Sequence, residues 1–198
     1  MGPAIPGVAL RFAEDGEILV KGPNVFLGYY KDPAATAEAL DHGWLRSGDL
    51  GKVDADGFVW IIGRKKEIII TAGGKNISPK NIEDALKSSA LVSEAVVIGD
   101  RRKFLTALVT LDAAAAARFM QERSLSGEPH VSPELRAEIQ ATVDEANRHL
   151  ARVEAVKKFH ILPGAFAVET GELTPTLKVK RSVVHKKFSA EIEAMYAD

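Results

Sequence analysis

The residues best suited to chemistry are concentrated in GRKKEIIITAGGKNISPKNIE, residues 63–83. This stretch opens on Gly63 and three basic residues, Arg64, Lys65 and Lys66, directly after the apolar run FVWII. Ile68, Ile69, Ile70 and Thr71 read as a short buried strand. Gly73 and Gly74, followed by Lys75, break regular structure and permit close backbone approach. Ser78 as N-cap with Pro79 at the first helical position starts a helix whose apolar face carries Ile82 and Leu86. A basic loop, a strand, a glycine turn and a capped helix in succession suit a phosphate-bearing ligand. A solvated charge run ahead of a core strand fits the same residues when they are taken alone. Two further residues sit in suggestive company. Asp49, in GWLRSGDLG (residues 43–51), is by itself a turn-capping aspartate. Lys178, in ELTPTLKVKR (residues 172–181), is by spacing alone one solvated lysine among Lys180, Arg181, Lys186 and Lys187.

The elements that must position these side chains divide in character near residue 63. Residues 1–63 read as mostly β: a strand at 8–12, a tight turn at Asp15 and Gly16, and a second strand at 17–20. A short helix at 33–40 follows, capped by Asp32, and then a hairpin of 50–53 with 58–62 around Asp56 and Gly57. From residue 66 onward the pattern is α+β. Strands are expected at 68–71, 92–98, 105–111 and 159–162, and helices at 79–88, 113–123, 133–154 and 183–195. The helix at 133–154 is the most clearly periodic, with Leu135, Ile139, Val143, Ala146, Leu150 and Val153 on one face. The fold class is therefore α+β: a mostly β N-terminal segment, then a small α+β domain with a short sheet flanked by helices.

Composition narrows the function classes. The chain has 198 residues, 46% of them hydrophobic, and a formal charge of −1, so no global field favours nucleic acid. It has no cysteine, which excludes disulfides, thiolate nucleophiles and Cys-type metal sites. The five histidines, 42, 130, 149, 160 and 185, show no metal-ligand spacing, and no metal site is assigned. No apolar run approaches the ~18 residues of a membrane span, and the first residues lack a charged leader pattern. A cytoplasmic protein is the expectation.

GWLRSGDLG, GRKKE and TPTLKVKR, in this order, resemble three motifs of the adenylate-forming (AMP-binding) superfamily, which includes acyl-CoA synthetases, luciferases and nonribosomal peptide adenylation domains. They correspond to its TGD motif, its GRxKE hinge motif and its C-terminal catalytic-lysine motif. The GEI and GYY wording within residues 16–30 is also similar to the family's. Leu177 stands where the commoner form of the last motif has glycine, and the wording is most similar to long-chain fatty acyl-CoA ligases.

The resemblance implies that residues 1–63 end a large N-terminal adenylation domain, that 64–66 form a hinge, and that 67–198 form a mobile C-terminal lid domain. The family's phosphate loop and its adenine- and magnesium-holding segments are not found in the sequence. The chain is thus expected to be the C-terminal third of a long-chain fatty acid–CoA ligase, inactive alone and holding no cofactor tightly. Its parent would use ATP, Mg2+, CoA and a fatty acid.

By the same resemblance Asp49 accepts hydrogen bonds from the ribose hydroxyls, which a carboxylate can do in bidentate fashion. Arg64 contacts the ribose or phosphate through its rigid fork of donors. Lys66 is the hinge, absorbing a backbone rotation. Gly73, Gly74 and Lys75 form the loop that admits the CoA thiol, and Gly73 is wanted for its missing side chain. Lys178 bridges the acyl carboxylate and the α-phosphate, stabilising charge without covalent chemistry. Trp44 reads as packing. The expected partners are these substrates and the missing N-terminal domain, with no nucleic acid; peripheral membrane association of the parent stays open. The rival readings are a fatty acyl-AMP ligase, another adenylating enzyme, or a non-catalytic partner-binding module.

Overall fold

Asp15 and Gly16 make the first turn: Gly16 takes φ +84, and the Asp15 carboxylate accepts the Glu17 N–H at 3.1 Å. The turn joins β1 (Ala9–Phe12) to β2 (Glu17–Lys21) in antiparallel register. α1 (Pro33–Ala39) starts as its sequence dictates, with Pro33 in its first turn and the Asp32 carboxylate accepting the Ala35 N–H at 2.9 Å. β3 (Leu40–Asp41), the long β4 (Trp44–Val53) and β5 (Val59–Arg64) complete a five-stranded sheet. Its order is β1-β2-β4-β3, with β5 also paired to β4. The Asp54 carboxylate closes the β4–β5 turn by accepting from the Asp56 and Phe58 N–H groups and the Trp60 indole.

The computed structural model describes residues 2–197 and divides the chain into two units, Met1–Ile68 and Ile69–Asp198. The second unit begins with a two-strand ribbon, β6 (Ile69–Ile70) and β7 (Asn76–Ile77), leading into α2 (Pro79–Leu86). β8 (Val92–Ile98) and β9 (Leu105–Leu111) pair antiparallel. α3 (Ala113–Glu122) and α4 (Pro133–Arg148) then carry the chain over to β10 (Val156–Ile161), which lies parallel to β9; a parallel neighbour needs such a crossover. α5 (Arg181–Lys187) and α6 (Ser189–Tyr196) close the unit.

Both faces of this three-stranded sheet are covered, so β8 and β9 read as nearly continuous apolar runs. Ala95, Val97, Ala107 and Val109 face a core with Ile82, Leu86, Phe119, Leu135, Ile139 and Val143. Val96, Ile98 and Leu108 face the other way, onto Phe166, Leu173, Val184, Ile192 and Met195.

Expected elements differ in several places. The strand expected at 50–53 begins already at Trp44, so Asp49 lies within a strand, and the strand expected at 159–162 runs over Val156–Ile161. The strand at 68–71 is a two-residue ribbon strand in which Ile69 is buried and Ile70 half-exposed. The helix expected to reach 154 stops at Arg148. There the Asn147 side chain donates to the Val156 carbonyl and accepts the Val156 N–H, both at 2.9 Å, which starts β10 where periodicity continues the helix; Val153 is left exposed. The helix expected over 183–195 is two helices broken at Phe188, whose ring lies 6.0 Å from that of Phe166.

Candidate functional site

In the first unit Asp49 and Arg64 stand directly opposite one another across the β4–β5 pair. Arg64 Nε donates to Asp49 Oδ1 at 2.9 Å, and about a quarter of the Asp49 side chain remains open to solvent. The two residues expected to grip a ribose are thus brought together by strand register alone. Gly51, two residues on, sits at a register shift where a Cβ would stand 2.7 Å from the Trp60 carbonyl; only glycine lets the strands close in behind Asp49.

The turn before Asp49 is fixed from below. Gly48 takes φ +72 and donates its N–H to Glu17 Oε1 at 3.0 Å. Glu17 is a buried carboxylate, and its other oxygen accepts from the Lys65 ammonium at 2.9 Å. Lys65 also pairs with Asp15 at 2.6 Å, and that hydrogen bond holds the Asp15 carboxyl below the ordinary carboxylate range. The pairing of Glu17 with Lys65 is not expected from the sequence; its one local signal is a charged residue opening the otherwise apolar Ile18, Leu19 and Val20. Trp44 lies under Arg11 and Lys21, 4.8 and 5.8 Å from its ring centre, a packing arrangement. Lys66 lies exposed in a short 3-10 turn, Lys65–Glu67, just before the division of the chain into its two units.

In the second unit Gly73, Gly74 and Lys75 form the tip of the β6–β7 ribbon. Gly74 takes φ +73, whereas Gly73 is not left-handed, and a Cβ there would meet only the Thr71 hydroxyl, at 4.0 Å. The ribbon is held against the 99–102 loop by Ala72 N–H to the Arg102 carbonyl, 2.9 Å, and Arg101 N–H to the Ile70 carbonyl, 2.8 Å.

Lys178 occupies a separate turn of that unit. Leu173 and Val179 form an antiparallel bridge, the Thr174 N–H donates to the Lys178 carbonyl, and the Leu177 N–H donates back to the Thr174 carbonyl, both at 2.8 Å. The Thr174 hydroxyl also accepts the Lys178 N–H at 3.0 Å. Leu177 takes φ +59 and is 67% exposed. This is a hairpin turn closed by a left-handed residue, a position that favours glycine. Leucine stands where the commoner motif has glycine, yet it holds the glycine's conformation. The Lys178 side chain is exposed and carries no ion pair among the described residues.

The turn is anchored at both ends. Glu172, 1% exposed, accepts from Lys187, from the Thr170 hydroxyl and from the Ala167 N–H. Burial alone would raise its pKa; the Lys187 ammonium and the Thr170 hydroxyl outweigh burial and hold the carboxyl at about 2. Arg181, at the other end, places one nitrogen 2.5 Å from both oxygens of Glu83 on α2, and Glu83 also accepts the Val97 N–H at 2.8 Å.

The chemistry on offer is a carboxylate–guanidinium pair able to hold a vicinal diol, and an exposed ammonium on a hydrogen-bonded turn able to meet an anion. No cluster of three His, Asp or Glu among the described residues is placed to hold a metal ion.

Residues 66–198 match the family described as AMP-binding enzyme C-terminal domain, and the chain belongs to that family. It is 50% identical over 201 residues to the long-chain-fatty-acid–CoA ligase FadD15 of Mycobacterium tuberculosis, an alignment covering 99% of this chain and 34% of that protein. It is 41% identical over 206 residues to the long-chain-fatty-acid–CoA ligase ACSBG2 of Gallus gallus, covering 92% and 27%. The adenylation domain of a carboxylate reductase from Mycobacterium chelonae superposes with a TM-score of 0.80 at 24% identity, over 99% of this chain and 32% of that one, which is a likeness of fold. The chain spans about a third or less of the curated relatives it matches.

Proposed function

We propose that this chain is the C-terminal part of a long-chain fatty acid–CoA ligase, which joins a fatty acid to CoA through an acyl-adenylate. The observation that carries the reading is the Lys178 turn: an exposed ammonium at the tip of a hairpin tied at both ends to the core of its unit. In the adenylation step Lys178 meets the carboxylate of the acid and the α-phosphate of ATP as negative charge builds between them. Asp49 accepts from the ribose hydroxyls, and Arg64 holds that carboxylate in place through Nε while offering its remaining donors to the nucleotide. The chemistry that magnesium would supply, when bound with ATP, is charge screening of the phosphates. Lys66 is the hinge, with 1–63 as the end of the adenylation domain and 67–198 as the mobile lid. A second orientation of the lid presents Gly73, Gly74 and Lys75 to the CoA thiol. Among the described residues a Cβ at Gly73 would meet only the Thr71 hydroxyl, at 4.0 Å, so in this reading the demand for glycine there comes from the passage for the thiol. The cytoplasm is the proposed location, with peripheral membrane contact of the parent left to fractionation.

The test is the full-length parent with Lys178→Ala, assayed separately for acyl-AMP formation and for thioester formation from supplied acyl-AMP. The first step should fall by about 100-fold or more and the second survive. Survival of both steps overturns the role given to Lys178. Failure of the wild-type parent to pass the acyl group to CoA leaves a fatty acyl-AMP ligase instead.

A further inference from the structure

Lys178 reaches its target through a long side chain, so the backbone beneath it is the part a fold can fix. Thr174, Thr176 and Lys178 close the turn on itself, but a closed turn still swings as a body unless its base is held. The base is residue 172, whose carbonyl accepts the Lys180 N–H at 2.7 Å just below the Leu173–Val179 bridge. An apolar side chain would fill this buried place without the cost of desolvating a charge. The chain instead carries Glu172, with Lys187 reaching in from α5 and the Thr170 hydroxyl and Ala167 N–H completing its bonds. α5 begins at Arg181, the residue whose pairing with Glu83 secures the far end of the same turn.

We propose that Glu172, with Lys187, is a positioning residue for Lys178: the ion pair, its carboxylate buried and its lysine half-exposed, fixes the base of the turn against α5 and so sets where the lysine ammonium can stand. This rests on the reading of Lys178 given above. It assigns Glu172 no contact with substrate. Its effect is confined to the half-reaction that uses Lys178, because the Gly73–Lys75 turn hangs from the 99–102 loop by separate bonds.

The experiment uses the full-length parent as wild type, Glu172→Gln, Lys187→Met, the double variant and Lys178→Ala. Adenylation is followed by ATP–pyrophosphate exchange, and thioester formation is followed from supplied acyl-AMP. Each single variant should lower adenylation kcat about 10- to 100-fold, the scale of a small misplacement of a catalytic group, and leave thioester formation within about twofold of wild type. The double variant should be no worse than the poorer single, since both remove one interaction. Lys187→Met changes a half-exposed side chain and keeps the test available if Glu172→Gln fails to fold. Adenylation within twofold of wild type in Lys187→Met, while Lys178→Ala abolishes it, overturns the proposal. Equal losses in both half-reactions also overturn it, because they mark a merely structural pair. Intact adenylation in Lys178→Ala removes the reading on which the proposal stands.

Discussion

Leu177 offers a sharp test of the lysine turn, because leucine there is held at φ +59. A left-handed conformation costs a residue with a Cβ about 1–2 kcal/mol. Replacing Leu177 by glycine removes that cost but adds about 0.5–1 kcal/mol of unfolded-chain entropy. It also gives up the third or so of the side chain that is covered, since 67% is exposed; a fully buried leucine is worth ~1.5–3 kcal/mol, so this part is about 0.5–1. Leu177→Gly should therefore lie close to wild type. Leu177→Ala loses the same packing and keeps the left-handed cost, so glycine should be more stable than alanine by about 0.5–1 kcal/mol. At an ordinary helical site the order is reversed: Ala117→Gly, exposed within α3, should cost about 1 kcal/mol. The assay is urea unfolding of the 198-residue chain, with amide exchange read at β8 and β9 so that only the second unit is followed. If Leu177→Ala equals or exceeds Leu177→Gly in stability, residue 177 is not left-handed and the hairpin described here is wrong.

Two further outcomes follow from the geometry. The Glu172 carboxyl is held at about 2 against an ordinary 4.5, so its pair contributes stability that is complete above the unfolded value and lost as pH falls toward the folded one; the upper bound is about 3 kcal/mol. The gap in stability between wild type and Glu172→Gln should narrow between pH ~5 and ~2, and a gap independent of pH would contradict the pairing. Gly51→Ala puts a Cβ 2.7 Å from the Trp60 carbonyl and 2.5 Å from Ile18 Cδ1, whereas a Cβ at Gly164 meets nothing within 4 Å. The first should lower the unfolding midpoint by the equivalent of about 1–3 kcal/mol and the second leave it unchanged, as differential denaturation curves would show.

Elements with a strong local pattern were legible in the sequence. β8 and β9 fall on residues 92–98 and 105–111 as expected, because both faces are buried and the apolar runs end in turn residues. The Asp32 cap and the Ser78–Pro79 helix start were equally local. The two misjudged helices share one cause, a contact outside the helical period that overrides the local preference. Asn147 captures Val156 and stops α4, while its apolar period runs on through Leu150 and Val153. Phe188 turns toward Phe166 and splits the last helix. At the candidate site the residues proposed to bear the chemistry stand in recognisable motifs, and those holding them in place do not. Glu17, Glu83 and Glu172 act through partners 31, 98 and 15 positions away. A sequence displays spacing, and those distances have no period.

The Asp49–Arg64 pair carries a consequence for how a ligand is received. A carboxylate offers about four lone-pair directions, and Arg64 takes one of them through Nε. A diol arriving at Asp49 can therefore add its bonds to those already made, with no partner to evict. The receptor side of the encounter is in place beforehand, built into adjacent strands on the first unit. On the proposed function, any movement of the chain beyond Arg64 leaves this grip untouched, because both of its members belong to the first unit.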